Sequence, residues 1–146
     1  MKHISQSIEF KTDKFDLTSE LNEELNAGNQ LYGEDISDWL SKALESKWET
    51  SYLDEDWGWL IDANKKGNND SHNTVCVYDY KNEENLKTND GVWFILIHTS
   101  YKQRFLRFFK KVRYGETDIE IVNDIVSALE NYGIKDIESK QQNGFN

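Results

Sequence analysis

The chain contains no proline and only one cysteine, Cys76, in 146 residues. A single thiol excludes an internal disulfide. The missing proline, beside fourteen asparagines and abundant lysine, reads as an AT-rich coding bias rather than a structural device. No stretch approaches the ~18 apolar residues that mark a membrane-crossing helix. Met1-Lys2-His3-Ile4 lacks the apolar block of a signal peptide, so a cytoplasmic location is expected. There is no Walker motif, no Gly-x-Gly-x-x-Gly fingerprint and no Gly-x-Ser-x-Gly elbow. Cations are also scarce: 17 Lys and Arg face 27 Asp and Glu, for a net charge of −10 and a pI of about 4.7. That balance argues against general binding to phosphate backbones, which takes clustered Lys and Arg. Neither direct nucleic-acid binding nor membrane binding is expected. An acidic chain of this kind is either simply soluble or built to dock a basic partner.

Hydrophobic residues make up 37% of the chain, and 13% of all residues are aromatic. Large aromatic side chains bury much area each, so few residues can build the core. Disordered chains are poor in such residues. The length suits one domain over 1–146, with 140–146 as a frayed tail.

Apolar and polar residues alternate from Ile4 to Phe10, which predicts a half-buried strand. Leu17, Leu21 and Leu25 are four apart, but Asn22, Asn26, Asn29 and two glycines dilute helix propensity, so 11–33 reads as a long loop rather than a helix over 17–27. Ile36, Trp39, Leu40, Ala43 and Leu44 form one helical face, predicting a helix over about 34–47 with Trp39 in the core. A strand is expected at Glu49–Leu53 or Trp57–Asn64, as one strand interrupted by an acidic triplet. Others are expected at His72–Tyr80 and Gly91–Tyr101. The run Val92–Ile97 is apolar at every position, which predicts a central strand covered on both faces. Thr117 and Glu120 have capping-box spacing, and Ile121, Val122, Ile125, Val126, Leu129 and Tyr132 form a buried stripe, predicting a helix over about 117–132 that stops at Gly133. Ile134–Ser139 is a candidate last strand. Short connections imply antiparallel pairing. Two amphipathic helices cover one layer, so the expected fold is α+β: a two-layer sandwich with an antiparallel sheet of four to six strands and both helices on one face.

Two blocks carry a resemblance. Ala27-Gly28-Asn29-Gln30-Leu31-Tyr32-Gly33-Glu34-Asp35-Ile36-Ser37-Asp38-Trp39-Leu40, followed by Glu55-Asp56-Trp57-Gly58-Trp59, resembles an uncharacterised family of small acidic bacterial single-domain proteins with a glycine-bearing loop, an aspartate-led helix and an Asp-Trp-Gly-Trp run. That resemblance implies no activity and no catalytic residues. In size, charge and layout the chain is also similar to bacterial toxin-neutralising immunity proteins.

On a strand, Trp57, Trp59 and Ile61 would share one face. Two core tryptophans after a solvated turn is the plainer reading. The alternative is a surface where tryptophan and Asp54, Glu55 and Asp56 grip a basic partner or a sugar. Nothing marks any carboxylate pair as an acid/base couple. His72 and Cys76 would stand ~13 Å apart on one strand and cannot share an ion. His3 and His98 complete no zinc spacing, and His98 reads as a partly buried structural histidine. Cys76 reads as a small hydrophobe. No cofactor, metal or catalytic residue is expected.

Residues 101–114 hold six of the seventeen basic residues and no acid. Phe105, Phe108, Phe109 and Val112 fit a helical face. Arg104, Arg107, Lys110 and Lys111 make it a possible basic aromatic patch, able to stack on single strands or lie on an anionic membrane. The plainer reading is cations paired with the acidic surface. The expected function is that of a non-enzymatic inhibitor or immunity-type protein. It would bind a basic protein partner through Asp54, Glu55, Asp56, Glu83 and Glu84, as a monomer or homodimer. The alternatives are a DNA mimic with carboxylates in two rows on one face, or a small sugar- or nucleotide-acting enzyme with a pocket holding Trp59 or Trp93.

Overall fold

Strand-forming alternation needs partners, and among the described residues seven strands find them in one open antiparallel sheet. The computed structural model describes residues 2–80, 91–105 and 109–143, with the backbone alone for Tyr80, 103–105 and 109–111. The strands are β1 (Ile4–Thr12), β2 (Trp48–Glu55), β3 (Gly58–Lys65), β4 (Ser71–Tyr80), β5 (Gly91–Phe105), β6 (Phe109–Tyr114) and β7 (Glu138–Asn143). Their order is β2-β3-β4-β5-β1-β7, with β6 also paired to β5. β5 is long enough to hold two neighbours end to end. Its first half pairs with β1 (Ile8 opposite Ile95) and its second half with β6 (Ser100 opposite Tyr114). A parallel bridge from Ile4 to Glu116 joins the two neighbours.

Two helices, α1 (Glu34–Leu44) and α2 (Ile119–Asn131), cover one face of the sheet, giving a two-layer α+β fold. α1 buries Ile36, Leu40 and Leu44; α2 buries Ile121, Val122, Ile125 and Leu129. Between layers lie Ile8 and Phe10, Trp59 and Ile61, Val75 and Val77, and Trp93, Ile95 and Ile97. Register explains the set: Ile95 stands opposite both Ile8 and Val77, and Val77 opposite Trp59, so one row crosses four strands on the helix side.

Several expectations need correction. α1 ends at Leu44, not Lys47, because the chain turns there to start β2 at Trp48, whose side chain is buried. α2 is capped by Asp118, which accepts from the Glu120 N–H at 3.0 Å. Thr117 does not cap; its hydroxyl sits between the Ile4 and Ile97 carbonyls at 2.8 and 2.9 Å. β2 and β3 are separate strands of a hairpin, not one interrupted strand. Trp39 is half-buried at the core margin, against Phe15 and Tyr132. The β5 run is covered by helices on one face only. Residues 101–105 and 109–114 are strand, not a helical face. The spacing of Phe105, Phe109 and Val112 suits a helix, but pairing along β5 takes the backbone instead. The tail pairs with β1 through Asn143 instead of fraying at 140. The loop expected over 11–33 holds only a short 3-10 turn, Leu25–Gly28.

Gly58 marks the start of β3. A Cβ there would lie 2.6 Å from the Val77 carbonyl oxygen of the adjacent strand. Gly58→Ala must push β3 from β4 next to the buried pair Trp59 and Val77. It is expected to cost about 1–3 kcal/mol, read as a lower urea midpoint at unchanged slope.

Candidate binding surface

The acidic turn between β2 and β3 is held by the long loop beneath it. Asn26 is fully buried in a left-handed conformation. Its amide nitrogen donates to the carbonyls of Glu55 (2.9 Å) and Gly58 (2.8 Å), and its side-chain oxygen accepts from the Leu31 N–H (2.9 Å). The Asn26 N–H donates to the Asp54 carboxylate at 2.8 Å, and the Asn29 side chain to the Asp56 carbonyl at 2.7 Å. These bonds fix a tight reversal at Asp56 and Trp57. Trp57 and Trp59 therefore do not share a face. Trp59 is 3% exposed in the core, with its N–H donating to the Leu31 carbonyl. Trp57 is 39% exposed on the opposite side of the sheet.

Among the described residues that opposite side carries no helix. Its register brings Leu53, Leu60, Cys76 and Leu96 into one row across β2 to β5. Beside that row runs an aromatic ladder: Trp57 against Tyr78, with centroids 5.2 Å apart, and Tyr78 against Phe94 at 6.3 Å. Leu53 is 44% exposed. Glu55, Asp56, Glu9 and Glu138 lie at this end of the face; Glu9 stands opposite both Phe94 and Glu138. The far end carries His3, His72, His98 and Lys102, with Val112 and Tyr114. The open face is thus apolar at its centre and acidic at one end, with the histidines, Lys102 and Asp62 at the other. Cys76 is buried within it, and that burial pushes its thiol pKa up to about 11, so it behaves as the small hydrophobe expected.

A cleft of about 660 Å³ lies on the helix side, where Asp16, Glu20, Glu34, Asp35 and Asp38 meet Tyr32 and Tyr52. Much of its acid is already engaged. Asp16 accepts from Ser19 and Thr18, which hold its carboxyl below the usual range. Asp35 accepts from the Asp16 N–H at 2.8 Å. Asp38 accepts from Lys42 at 2.8 Å and from Tyr52, and Lys42 is the main cause of its lowered pKa. Nearby, Lys47 and Lys65 hold Glu120 low by the same means, in that order. These carboxyls are depressed in the folded state, so the stability they add is full above the ordinary carboxylate pKa of about 4. It is lost as pH falls through their lowered values. The urea midpoint should fall between pH 5 and about pH 3, and Glu120→Gln should flatten that fall.

Of the residues singled out in the sequence, Glu55 and Asp56 are brought to the rim of the open face, whereas Asp54, opposite Trp59, turns to the helix side, where the loop takes up its carboxylate. Glu83, Glu84 and Arg107 lie outside the described residues; Arg104, Lys110 and Lys111 are placed by backbone alone on the β5–β6 pair. Trp59 and Trp93 are in the core. The described carboxylates are spread over both sides of the sheet, in the cleft, at the open-face rim and on α2. Two features were missed in the sequence: the Trp57–Tyr78–Phe94 ladder on the open face and a contact between His3 and His98. Gly58 was the one local signal for the first; nothing local signals the second. A scan of protein-family models and searches of curated proteins and of solved structures gave no match to this chain.

Proposed function

We propose that the chain is a non-enzymatic binding protein of inhibitor or immunity type, and that its open sheet face docks a basic protein partner. The observation that carries this reading is the exposed Trp57, packed at a tilt on Tyr78 and continuing to Phe94, beside Glu55 and Asp56. Uncovered apolar patches rimmed by polar groups favour interaction sites, and tryptophan and tyrosine are common anchors in them. An arginine of the partner would stack on the Trp57 ring and reach Glu55 or Asp56 with its guanidinium group. The net charge of −10 would speed encounter with a basic surface.

The test is affinity capture from the source cells, with the captured protein then titrated at increasing salt. A stoichiometric basic partner is expected, whose association rate falls steeply between low and physiological ionic strength. Capture of no stoichiometric partner, or binding indifferent to salt, overturns the reading.

A further inference from the structure

All three histidines of the chain fall at the same end of the open face, and two of them touch. His3 Nε2 and His98 Nδ1 are 3.0 Å apart, on β1's approach and on β5, 95 residues apart in sequence. Their rings are tilted by 47°, and Tyr114 of β6 stacks on the His3 ring with centroids 5.1 Å apart. His72 stands apart from this pair, with its Nε2 2.9 Å from the Asp62 carboxylate.

We propose that His3 and His98 together form a binding site for a divalent transition-metal ion of the zinc type. Two nitrogens bound to a tetrahedral zinc at ~2.0–2.1 Å lie about 3.3 Å apart, so the pair must open by about 0.3 Å and both rings must turn to aim their facing nitrogens at one point beside the N···N line. Imidazole nitrogens favour zinc over magnesium or calcium, which take oxygen. In the neutral pair one ring carries the contact hydrogen. Binding moves that hydrogen to the same ring's other nitrogen, leaving both facing nitrogens free to donate. No group of three His, Cys, Asp or Glu side chains converges on one ion among the described residues, so water completes the coordination. Because the ion would tie the start of β1 to β5, its binding should also raise thermal stability.

The test is titration of the full chain with Zn²⁺ followed by calorimetry, with Co²⁺ absorption as a second probe and thermal melts with and without Zn²⁺. One ion per chain is expected. His3→Ala and His98→Ala should each weaken binding about tenfold or more and abolish the thermal shift, while His72→Ala leaves both unchanged. His3 precedes β1, so His3→Ala tests the site even if His98→Ala fails to fold. No saturation below about 1 mM Zn²⁺ overturns the proposal. So does binding that survives His3→Ala but is lost in His72→Ala, which would move the ion to His72 and Asp62.

Discussion

Asn26→Ala is expected to lower the unfolding free energy by about 3–5 kcal/mol, enough to unfold a marginal domain. Three side-chain hydrogen bonds to backbone disappear at once, at Glu55, Gly58 and Leu31. The side chain is fully buried, so no water takes their place. Each backbone group left unpaired away from water costs about 1–3 kcal/mol. Asparagine also tolerates the left-handed conformation, φ 54°, better than alanine does. Asn26→Asp keeps size but cannot donate, and it sets a carboxylate against two carbonyls, so it should be at least as damaging. Asn29→Ala removes one exposed bond and should cost within about 1 kcal/mol. Urea denaturation of the three variants checks the ranking. Equal effects at 26 and 29 would mean that Asn26 does not anchor the turn.

The second large effect concerns binding. Trp57→Ala should weaken the complex with the basic partner by at least about 30-fold, a loss of ~2 kcal/mol typical of an interface anchor. Stability should change much less, because the ring is 39% exposed and packs mainly on Tyr78. Glu55→Gln with Asp56→Asn should instead slow association and flatten its salt dependence. Calorimetry beside a urea melt separates the two consequences. If affinity falls only in proportion to stability, the open face is not the docking surface.

Much of the layer architecture could be read locally. The stripe Ile121, Val122, Ile125 and Leu129 repeats within one helix, so its own spacing identifies both the helix and the face it buries. Ile36, Leu40 and Leu44 do the same for α1, and alternation placed β4 nearly to the residue. The ends were harder, because they depend on partners. Thr117 had the spacing of a cap, yet its hydroxyl is drawn to carbonyls of β1 and β5, and Asp118 takes over. The basic segment had helical spacing, yet its backbone pairs with β5.

The sequence by itself determined a two-layer α+β domain, its helical faces, the apolar central strand and the acidic turn, because each is written in neighbours a few residues apart. Only the tertiary structure decided which tryptophan faces outward. Alternation along an unbroken strand would put Trp57 beside Trp59, but hydrogen bonds from Asn26 and Asn29, about thirty residues earlier, fold the chain back between them. Tertiary pairing likewise brought His3 to His98 and left the face of Leu53, Tyr78 and Phe94 without a helix. Contacts between distant segments are set by strand register, and register depends on the whole sheet at once.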